Sequence, residues 1–146
     1  MRRHPILLAA LLPVLLSACQ ARSVSVDDAY VRLPAVPGRP AAAYFTVSGG
    51  GLPDRLVGIT ATGAARAELH ASGMHAGMAT MTPLEDVEIP ADGVVAFSPA
   101  GNHVMLFGLS QNVTPGTPVP LILRFRSGTT LTTEAQTIAA GDDAPY

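Results

Sequence analysis

The chain contains one cysteine in 146 residues and no lysine at all. With Cys19 alone, no intramolecular disulfide can form, and the Cys-x-x-Cys-His signature of covalent c-type haem is absent. From Cys19 onward eleven acidic residues face seven arginines, so no basic stripe is available for nucleic acid. No apolar run reaches the about 20 residues that a membrane-spanning helix requires, since the longest, Ile6 to Leu16, stops well short. No 3.6-residue apolar stripe is visible after that run. The thirteen prolines also disfavour long helices, because proline removes a backbone donor and clashes with the preceding turn. Neither Gly-x-Ser-x-Gly nor a nucleophile paired with a base is found, so no enzyme is expected.

What is present begins with an export signal. Arg2 and Arg3 supply a positive start, and the run Ile6 to Leu16 ends in Leu16-Ser17-Ala18-Cys19. That ending resembles the lipobox of bacterial lipoproteins, in which the peptide is removed just before a cysteine that receives a diacylglyceryl group. The small residues Ser17, Ala18 and Ala21 leave ordinary signal-peptidase cleavage open. The expected organisation is a signal peptide over 1–18, a tether over 19–23, one domain over 24–140 and a short tail over 141–146. The mature protein is expected in the periplasm or on an extracytoplasmic membrane surface, held there by lipid on Cys19. Such a tether reaches only about 17 Å when fully extended.

The mature chain reads as an all-β sandwich. Short apolar and β-branched runs recur at sandwich-like intervals, with Gly and Pro between them. Candidate strands are Val24–Val26, Ala29–Val31, Ala43–Val47, Arg55–Thr60, Ala67–His70, Val87–Ile89, Val94–Phe97 and His103–Leu106. Leu121, Leu123 and Phe125 alternate with Ile122, Arg124 and Arg126, and Ser127-Gly128 then turns the chain into a Thr-rich return strand. Arg32 to Pro40, Gly49 to Pro53 and Ala71 to Thr80 read as loops.

Beyond the signal segment, every histidine and methionine lies between residues 70 and 105: His70, Met74, His75, Met78, Met81, His103 and Met105. Imidazole nitrogen with thioether sulfur is a soft ligand set, suited to Cu(I). In a strand, residues two apart share a face, so His103 and Met105 can reach one ion while Val104 and Leu106 pack inward. His70 is expected to close one strand, and the segment Ala71 to Thr80 to bring Met81 back towards it. His70, Met81, His103 and Met105 can therefore converge on one site for such an ion. Met74 and Met78 are read as loop residues outside the ligand set that form a soft rim passing copper inward, and His75 as a solvated loop residue.

The spacing His70, ten residues, Met81, twenty-one residues, His103-Val104-Met105 resembles the signature of the PCuAC family of periplasmic copper chaperones. Val26 to Arg32, Ala41 to Tyr44, Asp54 to Gly58, Glu68-Leu69-His70 and Gly101 to Leu106 continue the likeness, which spans roughly Val24 to Ala135. The resemblance implies a cupredoxin-like antiparallel β-sandwich that binds one Cu(I) through two His and two Met. It also implies an acceptor, the Cu(A) domain of cytochrome c oxidase or another copper chaperone. Ala71 stands where some members carry Met, and the tail Asp142 to Tyr146 has no His or Met, so no second metal site is expected.

Other metals fit this donor set less well. Structural zinc takes Cys, His and carboxylates, and a blue-copper carrier needs a Cys ligand. Two further readings stay open: a copper-sequestering protein without a specific acceptor, and a metal-free β-sandwich adhesion module.

Overall fold

The computed structural model describes residues 22–146. The expected signal peptide, Cys19 and most of the tether lie outside the described residues. Among those described there are ten strands and no helix. They are β1 (Ser25–Arg32), β2 (Ala41–Ser48), β3 (Asp54–Ala61), β4 (Arg66–His75), β5 (Met78–Pro83), β6 (Val87–Ile89), β7 (Val94–Phe97), β8 (Asn102–Phe107), β9 (Val119–Phe125) and β10 (Thr130–Ile138).

Alternation builds the two layers. Along β9, Val119, Leu121, Leu123 and Phe125 turn inward, and along β8 Val104 and Leu106 do the same with no exposed surface. These residues share one core with Phe45 and Val47 of β2, Leu69 of β4, and Leu56, Ile59 and Ile89 from β3 and β6. Strand β2 lies at the centre of one layer and pairs with β1, β7 and β8. Strand β10 joins the layers. Its first part, Thr130 to Ala135, pairs antiparallel with β9, and its last residues, Gln136 to Ile138, run parallel to Tyr30–Arg32 of β1. The order across the sheet is β5-β4-β8-β7-β2-β1-β10-β9-β3-β6. Pairing is antiparallel throughout except for β1–β10 and the short β7–β8 contact.

Two expectations about local structure need correction. The runs Val24–Val26 and Ala29–Val31 are one strand, interrupted by a register shift where Asp28 adopts φ 55°. A short polar side chain tolerates that left-handed backbone, so a bulge replaces the expected break. The segment Ala71 to Thr80 is a β-hairpin rather than a loop, and His70 sits in mid-strand instead of closing β4. A two-residue turn, Ala76-Gly77, closes the hairpin with φ 48° and 79°. Positive φ at both positions is the mark of the turn whose twist matches the flanking strands.

An ion-pair clamp ties the second layer together. Asp86, just before β6, accepts hydrogen bonds from Arg55 of β3 at 2.5 Å and from Arg126, just past β9, at 2.7 Å. The Arg55 hydrogen bond holds the Asp86 carboxyl below its ordinary value of 3.8; desolvation opposes this shift, and the charges of Arg55 and Arg126 reinforce it. A carboxyl depressed on folding stabilises the native state fully above its unfolded value, and that contribution drains away as pH falls through the folded one. Asp86→Asn is therefore expected to lower Tm at pH 7, with the gap to wild type closing by pH 2. Thermal unfolding followed by circular dichroism at both pH values tests this. A gap that stays constant would remove the carboxylate charge from the account.

Candidate metal centre

Strands β4 and β8 pair antiparallel with His70 opposite His103, Leu69 opposite Val104 and Glu68 opposite Met105. Opposed residues share a face of the sheet. Leu69 and Val104 enter the core, so His70, His103, Glu68 and Met105 occupy the outer face. On the far side of β4, the edge strand β5 sets Pro83 opposite His70 and Met81 opposite Ser72. Met81 thereby joins the same face, diagonal to His70, a relation that spans about 7–8 Å between backbones. The structure thus brings all four sequence-predicted residues to one face. Met105 lies one step along from the histidine pair, and Met81 one step the other way. Met81 lies on the exposed edge strand β5, whereas both imidazoles are sunk into the sheet surface.

His103 is 2% exposed, and the His70 side chain is 11% exposed. Their ring centroids are 6.0 Å apart. His70 Nε2 lies 3.2 Å from Glu68 Oε2, and Arg66 Nε holds the other carboxylate oxygen at 2.7 Å. His103 Nδ1 lies 3.1 Å from the Gly101 carbonyl, with Ser72 Oγ at 3.5 Å. Donation of the ring N–H at those two atoms leaves the lone pairs on His70 Nδ1 and His103 Nε2. Both of these nitrogens are buried, and neither has a hydrogen-bond partner. A buried polar atom left unpaired costs about 1–3 kcal/mol, so two on directly opposed residues call for an explanation.

A shared metal ion fits them. With metal–nitrogen bonds of about 2.0–2.1 Å plus the ring radius, two imidazoles on one ion keep their centroids within about 6.4 Å. The observed 6.0 Å lies inside that limit. Carboxylate or carbonyl acceptors on the second ring nitrogen are the usual way a ligating histidine is oriented. Among the described residues no cluster of three or more His, Cys, Asp and Glu side chains is grouped to hold a metal. Flanking the histidine pair on its face are the thioethers of Met105, half-buried, and Met81, which is 62% exposed. Tyr44 borders the site, with its ring 6.5 Å from that of His103 and 5.0 Å from that of Tyr30. Burial pushes the Tyr44 phenol above its ordinary 10.0, with Tyr30 adding to the shift and Arg32 opposing it, so it remains neutral.

Sequence reasoning passed over the orienting groups. Glu68 was visible only as a neighbour of His70, although a carboxylate two residues from a strand histidine shares its face. Ser72 and the Gly101 carbonyl belong to the site only through the β4–β8 pairing, which sequence spacing does not encode. The register also divides the three remaining donors. Met74 falls on the site face opposite Ala79, whereas His75 and Met78 oppose each other on the reverse face.

The LpqE-like model, which describes a lipoprotein family, matches residues 24–137 of this chain. Apo-DR1885 from Deinococcus radiodurans, a solution structure, is 30% identical; the alignment covers 97% of this chain and 98% of that one, with a TM-score of 0.60. The Cu(I) form of DR1885 is also 30% identical, covering 83% of this chain and 82% of that one at a TM-score of 0.61. The copper-bound PCuAC domain from PmoF2 is 22% identical over 82% of this chain and 95% of its own, with a TM-score of 0.66, a likeness of fold. No curated protein matches the chain. The family match and these alignments agree: the chain belongs to the LpqE-like, PCuAC-type family, with the cupredoxin-like fold of its PCuAC neighbours.

Proposed function

We propose that this protein is an exported metallochaperone. It carries one Cu(I) on His70, Met81, His103 and Met105 and delivers it to an extracytoplasmic acceptor, foremost the Cu(A) domain of cytochrome c oxidase. The observation that carries the reading is the pair of buried, unpartnered nitrogens on opposed histidines, with a methionine on either side. The Cu(I) form of DR1885, 30% identical, supports the choice of ion. Four neutral donors leave the site with the ion's single positive charge. A thiolate acceptor binds Cu(I) more strongly than a thioether does. Its first attack falls on the exposed Met81, and the oriented imidazoles leave last. Lipid on Cys19 keeps the domain beside the membrane in which such an acceptor resides.

The test is an anaerobic Cu(I) titration of the mature protein against a chromogenic chelator, followed by mixing the loaded form with a reduced Cu(A) domain. One tight equivalent that moves to the acceptor is expected. Tight binding without transfer selects the sequestering alternative, and the absence of competitive binding selects the metal-free adhesion module.

A further inference from the structure

The β4–β5 hairpin carries more soft donors than the four-ligand site uses. Every residue of β5 is exposed, and the tip beyond Ser72 contributes nothing to the core. Met74, on the outgoing strand, is 71% exposed. It shares its face of the hairpin with Met81, 62% exposed, so two thioethers stand together in solvent.

We infer that Met74 is an entry ligand for Cu(I): with Met81 it forms an exposed two-thioether loading site, from which the ion passes to the buried histidine pair. The inference rests on the four-ligand reading of the centre. Its support is the register. Met74 opposes Ala79 and Met81 opposes Ser72, so the two thioethers are diagonal neighbours on one face, about 7–8 Å apart at the backbone. The residues between them, Ser72 and Ala79, are small and leave the side chains free to meet. Met81 is in turn diagonal to His70, which opposes His103. Exposure falls along the same line: 71% at Met74, 62% at Met81, 11% at the His70 side chain and 2% at His103. Met78 is equally exposed but faces the other way, and it cannot take part.

Three rotatable bonds let a methionine swing without backbone movement. Met81 is common to both donor sets, so the ion can stay bound to it throughout the transfer. The Met74 sulfur is released as one imidazole nitrogen binds, and the second imidazole and the Met105 sulfur then add to complete the neutral set. Copper remains +1, and no electron or proton moves. Because two thioethers are a weaker set than two imidazoles with two thioethers, the ion runs inward.

The experiment is stopped-flow Cu(I) uptake from a chromogenic chelator by the mature protein, comparing wild type, Met74→Leu and Met78→Leu. Leucine keeps the apolar bulk and removes the sulfur. Met74→Leu is expected to slow both uptake and release about tenfold while leaving Kd within about twofold, and Met78→Leu to match wild type. A second measurement uses Ag(I), a redox-inert stand-in, with 13C-methyl-methionine protein carrying His103→Ala. Ag(I) is expected to shift the Met74 and Met81 methyl signals and leave Met78 unmoved. Normal wild-type uptake with Met74→Leu unslowed overturns this inference alone, as does equal slowing by Met78→Leu or an unmoved Met74 methyl. Wild type that takes up no Cu(I) overturns the four-ligand centre itself, and the entry site with it.

Discussion

His103→Ala is expected to weaken Cu(I) binding by at least about 100-fold, since losing even an orienting group behind a ligand typically costs about 10–100-fold. Met105→Ala is expected to cost roughly tenfold, because a neutral thioether is the weaker donor and Met81 lies on the other side to share the load. The histidine variant should still fold. The Gly101 carbonyl that accepts from His103 also accepts from the Ser72 N–H at 3.0 Å, so it is not orphaned by the substitution. Removing Nε2 also removes a buried atom without a partner, which offsets part of the lost packing. Val104 and Leu106 face the core and are untouched. The apo forms should therefore melt within a few degrees of one another, while a chelator competition separates them widely. Equal losses for the two variants would remove the ranking of nitrogen over sulfur, and no loss for His103→Ala would remove the site.

The parts of this molecule that were legible in the sequence are those in which one face is buried and the other is not. Leu121, Leu123 and Phe125 announce β9, and Val104 and Leu106 announce β8, because alternation is the direct imprint of a half-buried strand. The same parity predicted that His103 and Met105 would emerge together. The β4–β5 hairpin left no such imprint. Beyond Ser72 its residues are exposed on both faces, it lacks β-branched alternation, and it holds its shape through backbone pairing and a two-residue turn. Its glycines and alanines therefore read as a loop. The opposition of His70 and His103 was out of reach for another reason. It depends on how two strands thirty residues apart are aligned, and it is this alignment that recruits Glu68, Ser72 and the Gly101 carbonyl. The crossing of β10 from one layer to the other is likewise a property of the pairing and not of its sequence.

Gly49→Ala is expected to be the most damaging small substitution in the fold, for a reason unrelated to glycine's conformational range. Gly49 follows β2 and donates its N–H to the Gly93 carbonyl at 2.7 Å, while the Gly50 carbonyl accepts from the Asp92 N–H at 2.7 Å. Two backbone segments are thus laced together at van der Waals range. A Cβ at Gly49 would lie 2.1 Å from the Pro90 carbonyl oxygen and 3.3 Å from both the Gly93 oxygen and the Ile89 Cγ2. None of these neighbours can swing aside as a surface side chain would, and Ile89 is fully buried. Overpacking of this kind usually costs about 1–3 kcal/mol and occasionally more, and contact with backbone places Gly49→Ala at about 3 kcal/mol. In a domain of this size that lowers Tm by on the order of 10 °C. Gly58 supplies the control: a Cβ there would meet the Arg124 guanidinium at 2.7 Å, and an arginine tip moves easily. Gly58→Ala is expected to cost less than about 1 kcal/mol, and equal melting of the two variants would defeat the distinction between backbone and side-chain neighbours. The metal centre supplies a second control. Ala42 of β2 opposes Met105, whereas Ser48 marks the far end of the same strand, about 20 Å away at about 3.3 Å per residue. Damage at Gly49 should therefore leave the Cu(I) affinity of the folded protein within about twofold of wild type. A destabilised Gly49→Ala that binds normally, beside a stable His103→Ala that does not, would show that the strand end holds the fold and the outer face holds the ion.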